Sequence, residues 1–193
     1  MVAVTEASTW AAALAGNSRA FAELFDLHYD RVFRHVVGIA DQAADADEVT
    51  ASAFFELWRR RDRVRVVNGS VLPWLLVTAL NLARNHGRGT RRYQALLHRL
   101  PRDRDRWDPI ASIDDRYEAA DRSTAVSLAV ARLKPVDAQL IALTVQAELP
   151  IADAAAALGI PAGTARVRLH RARARLRAEL GPTLFSNPIE ETS

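Results

Sequence analysis

The chain has 193 residues, of which 49% are apolar and 25% charged, a composition that excludes a disordered protein and fits a folded globular one. It has no cysteine, which excludes disulfides and thiolate metal sites and makes a reducing cytoplasm the expected compartment. No segment approaches the roughly 20 apolar residues of a membrane span, and the acidic start does not resemble a signal peptide, so we expect no membrane insertion.

The net charge of +3 is unevenly distributed along the chain. Residues 26–56 contain seven acids and two arginines, whereas residues 84–106 contain eight arginines and two acids. Residues 161–180 contain six arginines and a single glutamate. This asymmetry predicts one acidic surface and two separate surfaces that face a polyanion.

Apolar residues recur at helical spacing through residues 21–36, 49–58 and 72–83, and no alternating strand pattern occurs. Gly87 and Gly89 are expected to bend or interrupt the third of these helices. Residues 101–122 are rich in charge and contain two prolines, which predicts a flexible linker. Further helices are expected near residues 123–132, 135–147, 151–158 and 161–179. The predicted fold class is therefore all-α, with two small helical domains joined by a flexible linker.

The last two of these helices have the turn chemistry of a helix-turn-helix. Gly159 can adopt the left-handed conformation that closes a helix, and Pro161 suits the first turn of the next one. The inward stripe of that last helix is predicted to be Ala165, Leu169, Ala172 and Leu176. Its opposite face must then present arginines, and the second helix of a helix-turn-helix enters the major groove of DNA.

An ordinary solvent-exposed helix is the alternative for this segment, because charge runs are usually solvated. Such a helix normally alternates charge signs for support four residues apart, and this one does not. The excess of like charge therefore favours a polyanionic partner.

The run GIPAGTARVRLHRARARLRAEL, residues 159–180, resembles the promoter-binding end of bacterial sigma factors. Residues 21–64 resemble the polymerase-binding part of sigma region 2, and residues 71–93 resemble its promoter-melting helix. With only these two domains and a short linker, the chain is similar to the extracytoplasmic-function (ECF) group of alternative sigma factors in the sigma-70 superfamily. The resemblance implies an N-terminal extension (1–17), region 2 (18–100), a linker (101–122), region 4 as a winged-helix-like helix-turn-helix (123–181) and a tail (182–193).

This resemblance implies a protein that binds core RNA polymerase, directs it to specific promoter DNA and initiates transcription, with an anti-sigma factor as a further partner. The residues that it assigns to the upstream promoter box are Thr164, Arg166, Val167, Arg168, His170, Arg171 and Arg173. Those that it assigns to the polymerase are Asp45, Asp47, Glu48, Phe54 and Trp58. Acids near a helix N-terminus are also common for a structural reason, the helix dipole.

The downstream box is assigned to a loop and the helix after it. Asn68, Gly69 and Ser70 fall where the family holds an extruded base, although such a turn also commonly joins two helices. Asn81 and Asn85 share a helix face, and the donor and acceptor of asparagine match adenine. The predicted phosphate contacts of this helix are Arg84, Arg88, Arg91 and Arg92.

No enzyme pattern is present in the sequence. The five histidines are scattered, and HExxH, GxSxG, P-loop and GxGxxG motifs are missing. We therefore predict no catalytic residue, no metal site and no cofactor. The main alternative function is a stand-alone helix-turn-helix regulator that binds operator DNA without polymerase. Such a regulator should bind duplex DNA tightly by itself, whereas a sigma factor should bind promoter DNA well only with the core enzyme.

Overall fold

The computed structural model describes residues 5–37, 43–97, 125, 126 and 128–181, with side chains at all of these except 43, 44 and 87–97. Within these ranges the chain is helical and contains no β-strand, only an isolated bridge between Val67 and Ser70. The predicted all-α class is confirmed. In the same ranges, no helix combines the length and apolar character needed to cross a bilayer. The predicted linker and tail lie outside the described residues.

Four helices form the first module. They are α1 (Glu6–Leu14), α2 (Ser18–Val37), α3 (Ala43–Arg59) and α4 (Leu72–Leu97), with a 3-10 turn at Arg61–Arg63. Their inward stripes meet in a core whose fully buried side chains include Leu24, Val32, Leu57, Leu75 and Leu76. Because α4 continues through Gly87 and Gly89, the interruption expected there is wrong.

Helix α1 is a feature that the sequence analysis did not predict. A capping box starts it: Thr5 Oγ1 accepts from the Ser8 N–H at 3.3 Å, and Ser8 Oγ accepts from the Thr5 N–H at 3.0 Å. Trp10 and Ala13 are buried in the core that α1 shares with α2. The described part of the N-terminal extension, from residue 5, is thus packed against the first module.

The second module contains α5 (Pro135–Ile141), α6 (Ile151–Leu158) and α7 (Ala162–Leu180), preceded by helical backbone at 125, 126 and 128–131. The helix predicted over 135–147 is α-helical only as far as Ile141. A π-helical segment, Ala142–Gln146, follows it, and the Ala147 N–H bonds to the Ala142 carbonyl, five residues back, at 3.0 Å.

The turn between α6 and α7 has the predicted geometry. Gly159 has φ 69 and ψ 28 and closes α6 in the left-handed conformation. Pro161 precedes α7 in an extended conformation, one position earlier than expected. The predicted inward stripe of α7, Ala165, Leu169, Ala172 and Leu176, is buried. This geometry confirms the helix-turn-helix pairing of α6 and α7.

The two modules pack against each other, with α4 against α6. Arg31 Nη2 on α2 donates to the Ala147 carbonyl at 3.1 Å. Arg65 Nη1, before the loop that leads to α4, donates to the Ala156 carbonyl at 2.9 Å. The described residues therefore form one closed arrangement, which the sequence analysis did not predict.

Candidate nucleic-acid and polymerase interfaces

The outer face of α7 is the clearest candidate surface for duplex DNA. Thr164, Arg166, His170 and Arg171 are exposed, and Val167 is an exposed apolar side chain at 50%. These residues lie in the first half of α7, which is the half of a recognition helix that reaches base edges. Arginine can bind guanine edges or phosphates there, and a valine methyl group can pack on a thymine methyl.

Two other arginines predicted for this surface are less exposed. Arg168 Nε donates to Asp137 Oδ1 at 2.8 Å, and the Arg168 side chain is 35% exposed. This ion pair joins α7 to α5, so Arg168 also helps to hold α7 in the second module. Arg173 is half-buried beside the inward stripe. The most accessible guanidinium groups in this set are therefore those of Arg166 and Arg171.

The loop predicted to hold an extruded base is a two-residue turn. The Val67 N–H bonds to the Ser70 carbonyl, and the Ser70 N–H to the Val67 carbonyl, each at 3.0 Å. Asn68 has φ 51 and Gly69 has φ 77, as a type I′ turn requires at its two central positions. Asparagine and glycine tolerate these values, so the sequence Asn-Gly fixes the shape of the turn. We call residues 67–70 the Asn-Gly turn.

The Asn-Gly turn is in contact with the second module. Asn68 Nδ2 donates to Asp153 Oδ1 on α6 at 2.7 Å. Since the adjoining Arg65 also bonds to α6, the exposed side of this turn is held against the helix-turn-helix. The Asn68 side chain is exposed, but one of its Nδ2 hydrogens is already bonded to Asp153.

The face of α4 that is predicted to read DNA also makes hydrogen bonds to the second module. Asn81 Oδ1 accepts from Gln139 Nε2 at 2.8 Å, and Arg84 Nη1 donates to the Pro135 carbonyl at 3.4 Å. Asn85 is exposed one turn after Asn81. The side chains of the remaining predicted phosphate contacts, Arg88, Arg91 and Arg92, lie outside those that the structure describes. The second module therefore contacts part of the surface predicted to read the downstream box.

The acidic surface predicted for the polymerase lies at the start of α3. Asp47 and Glu48 are exposed. Asp47 Oδ1 accepts from the Tyr29 hydroxyl at 2.7 Å, and this hydrogen bond raises the pKa of Tyr29. Asp45 is partly exposed and lies 3.4 Å from Nε2 of His86 on α4. The three carboxylates occupy one end of α3 and could accept from a basic partner.

Phe54 requires a correction. We predicted it as a polymerase contact, but it is only 2% exposed and its ring lies 4.6 Å from that of Phe25. It is a core residue, and its neighbour Phe55 is 64% exposed. Trp58 is half-buried, with its ring 5.0 Å from that of Phe21 and 4.6 Å from the Arg61 guanidinium carbon. Its packing makes Trp58 mainly a structural residue.

One basic groove was missed by the sequence analysis. It has a volume of about 600 Å³ and is lined by Arg59, Arg60, Asp62, Arg63 and Trp74. Cationic side chains beside an aromatic ring suit a nucleic-acid strand whose bases are unpaired. The run WRRRDRVR, residues 58–65, carried the signal, but Trp74 joins it only through the packing of α4 on α3.

In the described part of the chain, no three or more His, Asp or Glu side chains are gathered in a way that could hold a metal ion.

Two family models match the chain. Sigma-70 region 2 matches residues 24–93, and Sigma-70, region 4 matches residues 123–176. The ECF RNA polymerase sigma factor SigM of Mycobacterium tuberculosis is 32% identical over an alignment of 184 residues that covers 92% of this chain and 85% of that relative.

Solved structures support the fold. CnrH, solved in complex with the cytosolic domain of CnrY, has a TM-score of 0.59 at 23% identity, with 90% of this chain and 95% of that chain covered. The sigma factor RpoE of Bartonella quintana, solved with the anti-sigma factor NepR, has a TM-score of 0.51 at 18% identity, with 83% and 96% covered.

A regulator with only a helix-turn-helix is not favoured, because the chain matches region 2 as well as region 4. The covered length and the identity to SigM establish the family. The chain belongs to the ECF group of sigma-70 family sigma factors, the alternative sigma factors that direct RNA polymerase to promoters.

Proposed function

We propose that this sigma factor reads two promoter boxes with the two surfaces described above and holds core RNA polymerase by the acidic end of α3. Residues 18–100 bind the polymerase and open the downstream box, residues 123–181 bind the upstream box, and residues 101–122 link them. The observation that carries this assignment is the outer face of α7, where exposed arginines lie opposite a fully buried apolar stripe.

The proposed action is recruitment and strand separation, without covalent chemistry by this chain. Extruding a base costs a few kcal/mol in lost stacking and pairing, and contacts to the extruded base and the phosphate backbone can offset that cost. The Asn-Gly turn would accept the base, and the α4 face of Asn81 and Asn85 would contact the neighbouring nucleotides. The protein is accordingly not an enzyme and acts in the cytoplasm, where its polymerase lies.

Reading the downstream box requires the closed arrangement to open. Side-chain hydrogen bonds join the modules, and they include those of Arg31, Arg65, Asn68, Arg84 and Gln139. Each contributes about 0.5–1.5 kcal/mol at most, since most of these groups are solvent-exposed and can bond to water instead. A closed state of this strength can be opened by contacts with the polymerase and promoter DNA.

An anti-sigma factor is the natural antagonist of such a protein. CnrH was solved with the cytosolic domain of CnrY, and RpoE with the anti-sigma factor NepR. We propose that a partner of this kind binds the same polymerase-facing and DNA-facing surfaces, and so withholds this sigma factor from the core enzyme.

The test is run-off transcription with purified core polymerase on a library of promoters. The wild-type protein should select a set of promoters that share two boxes. Arg171→Ala should relax the choice of the upstream box, and Asn85→Ala that of the downstream box, each with about a fivefold to hundredfold loss on the best promoter. Arg177→Ala is the matched control, because it removes the same charge from the last turn of α7.

Transcripts that appear equally without the added protein would overturn the proposal. So would tight operator binding by the protein alone that core polymerase does not enhance.

A further inference from the structure

Helix α1 contacts the Asn-Gly turn directly. Gly69 has no Cβ atom, but one placed on its backbone would lie 3.6 Å from Ala7 Cβ on α1, at the distance of ordinary van der Waals contact. The matched region 2 begins only at residue 24, so α1 lies outside the segment that the family model covers. The turn therefore packs against α1, which lies outside the matched region 2.

The Glu6 carboxylate makes the polar contacts of this support. Its Oε1 accepts from the Val71 N–H at 2.8 Å and lies 2.8 Å from His28 Nε2 on α2. The side chains of Glu6 and His28 are 20% and 7% exposed. A single carboxylate thus joins α1, α2 and the residue that follows the turn.

The protonation of this group can be inferred from its contacts. Burial raises the pKa of Glu6, but hydrogen bonds from His28, the Val71 N–H and Ser70 outweigh it and bring the pKa below its usual value. Glu6 is therefore a carboxylate at neutral pH and can only accept. His28 must then carry its proton on Nε2 and donate.

Glu6 also lies where α4 begins. Val71 immediately precedes α4, and Ser70 Oγ accepts from the Leu72 N–H at 3.1 Å. Together Glu6 and Ser70 satisfy two backbone donors that have no partner within the helix, and a negative charge is favourable at that end of the helix dipole. The same contacts fix the exit of the turn and the start of the helix that carries Asn81.

We infer that Glu6 and His28 are positioning residues for base capture. They hold the exit of the Asn-Gly turn, at Ser70 and Val71, in place between α1 and α4, so that the turn is positioned to receive the extruded base, although neither contacts DNA. This inference rests on the proposed role of the turn. Its consequence is that promoter opening depends on Glu6 even when the fold and polymerase binding do not.

The experiment measures opening by the polymerase holoenzyme on promoters with 2-aminopurine at successive positions of the downstream box. The position with the largest fluorescence increase identifies the extruded base, and a second template is made abasic there. Glu6→Gln keeps the shape of the side chain and removes its charge. Glu23→Gln on α2, whose side chain is 54% exposed, is the matched control.

We expect Glu6→Gln to reduce opening about tenfold on the intact promoter, the effect of losing charge-assisted hydrogen bonds, and less than twofold on the abasic template. The protein should stay folded at the assay temperature, with its unfolding temperature lowered by only a few degrees, and its polymerase affinity should remain that of the wild type. His28→Gln, which keeps a donor, should retain most of the opening, whereas His28→Leu should lose it. These two variants test the same link if Glu6→Gln folds poorly.

Equal losses on both templates would overturn the inference, because α1 would then support only the general fold. Wild-type opening by Glu6→Gln would also overturn it. The proposed role of the turn fails separately, if Asn68→Ala opens both templates as the wild-type protein does.

Discussion

The two surfaces proposed to read DNA differ in the hydrogen bonds that they make with the rest of the protein. On α7, Arg166 and Arg171 point outward from a buried stripe. In the first module, Asn68 and Asn81 are hydrogen-bonded to α6 and α5. The second module thus leaves its own predicted reading face open while it occupies hydrogen-bonding groups of the other, although Asn68 and Asn81 stay exposed to solvent. This difference suggests an order of events, in which the upstream box can be bound before the downstream surface is uncovered.

The largest expected effect concerns the exposed surface. Replacing both Arg166 and Arg171 by alanine should weaken promoter binding by the holoenzyme by about 2–6 kcal/mol. If both contact phosphate, the slope of log affinity against log salt should become shallower by about two. Filter binding at several salt concentrations measures both quantities. Arg175→Ala with Arg177→Ala is the control of equal charge, and an equal loss from that pair would mean that α7 attracts DNA without reading it.

Acid should destabilise the protein through the buried His35 of the first module. Burial lowers the pKa of His35 to about 4, and neither ring nitrogen has a partner among the described residues. The unfolded chain takes up this proton near pH 6.5, so the stability contribution is complete above pH 6.5 and is lost as the pH falls towards 4. The resulting loss in the free energy of unfolding, measured with urea, should be about 3 kcal/mol. His35→Leu should remove most of it.

His170→Leu is the control for that measurement, since His170 is exposed on α7. If wild type and His35→Leu lose stability in parallel on acidification, the burial of His35 does not govern the acid response.

A smaller effect is expected from weakening the closed arrangement. Gln139→Ala and Asp153→Ala each remove one hydrogen bond to the downstream surface, worth about 0.5–1.5 kcal/mol. Binding of single-stranded downstream-box DNA by the protein alone should therefore strengthen by about twofold to tenfold, as measured by fluorescence anisotropy. Gln146→Ala, an exposed position in the same module, should change nothing. Unchanged binding by both variants would show that the covering contacts are energetically neutral.

The smallest effect should come from the turn of the helix-turn-helix. Gly159→Ala places a Cβ atom on a left-handed residue and should destabilise the second module by about 1 kcal/mol. Gly163→Ala lies inside α7 with open space around its Cβ position, so it should stabilise by a similar amount. Thermal unfolding should therefore give a lower unfolding temperature for Gly159→Ala and a higher one for Gly163→Ala. A shift in the same direction for both variants would contradict the left-handed role of Gly159.

Local signals in the sequence predicted the second module closely. Helix α6 ends and helix α7 begins within one residue of the expected positions, because Gly159 terminates the first helix and Pro161 precedes the second. The helical spacing of apolar residues over 49–58 also indicated that Phe54 faces the core. Its burial agrees with that spacing and not with a contact to the polymerase. Helix α1 was missed, although Thr5 and Ser8 form its capping box, because an alanine-rich segment of nine residues has little periodicity.

The contacts between the modules could not be predicted from the sequence. They join residues such as Asn68 and Asp153, which are 85 positions apart, by single polar bonds. Such bonds leave no repeating pattern, unlike a buried stripe. The role inferred for Glu6 could not be predicted for the same reason, since Val71 and His28 come into contact with it only in the folded chain.

The most direct test of the account is the distance between the modules before and after assembly with polymerase and promoter. The chain has no cysteine, so Ala11→Cys on α1 and Ala178→Cys on α7 provide two exposed labelling sites for energy transfer. The account predicts a short distance in the protein alone and a clearly longer one once both boxes are bound. An unchanged distance in a complex that transcribes would contradict it.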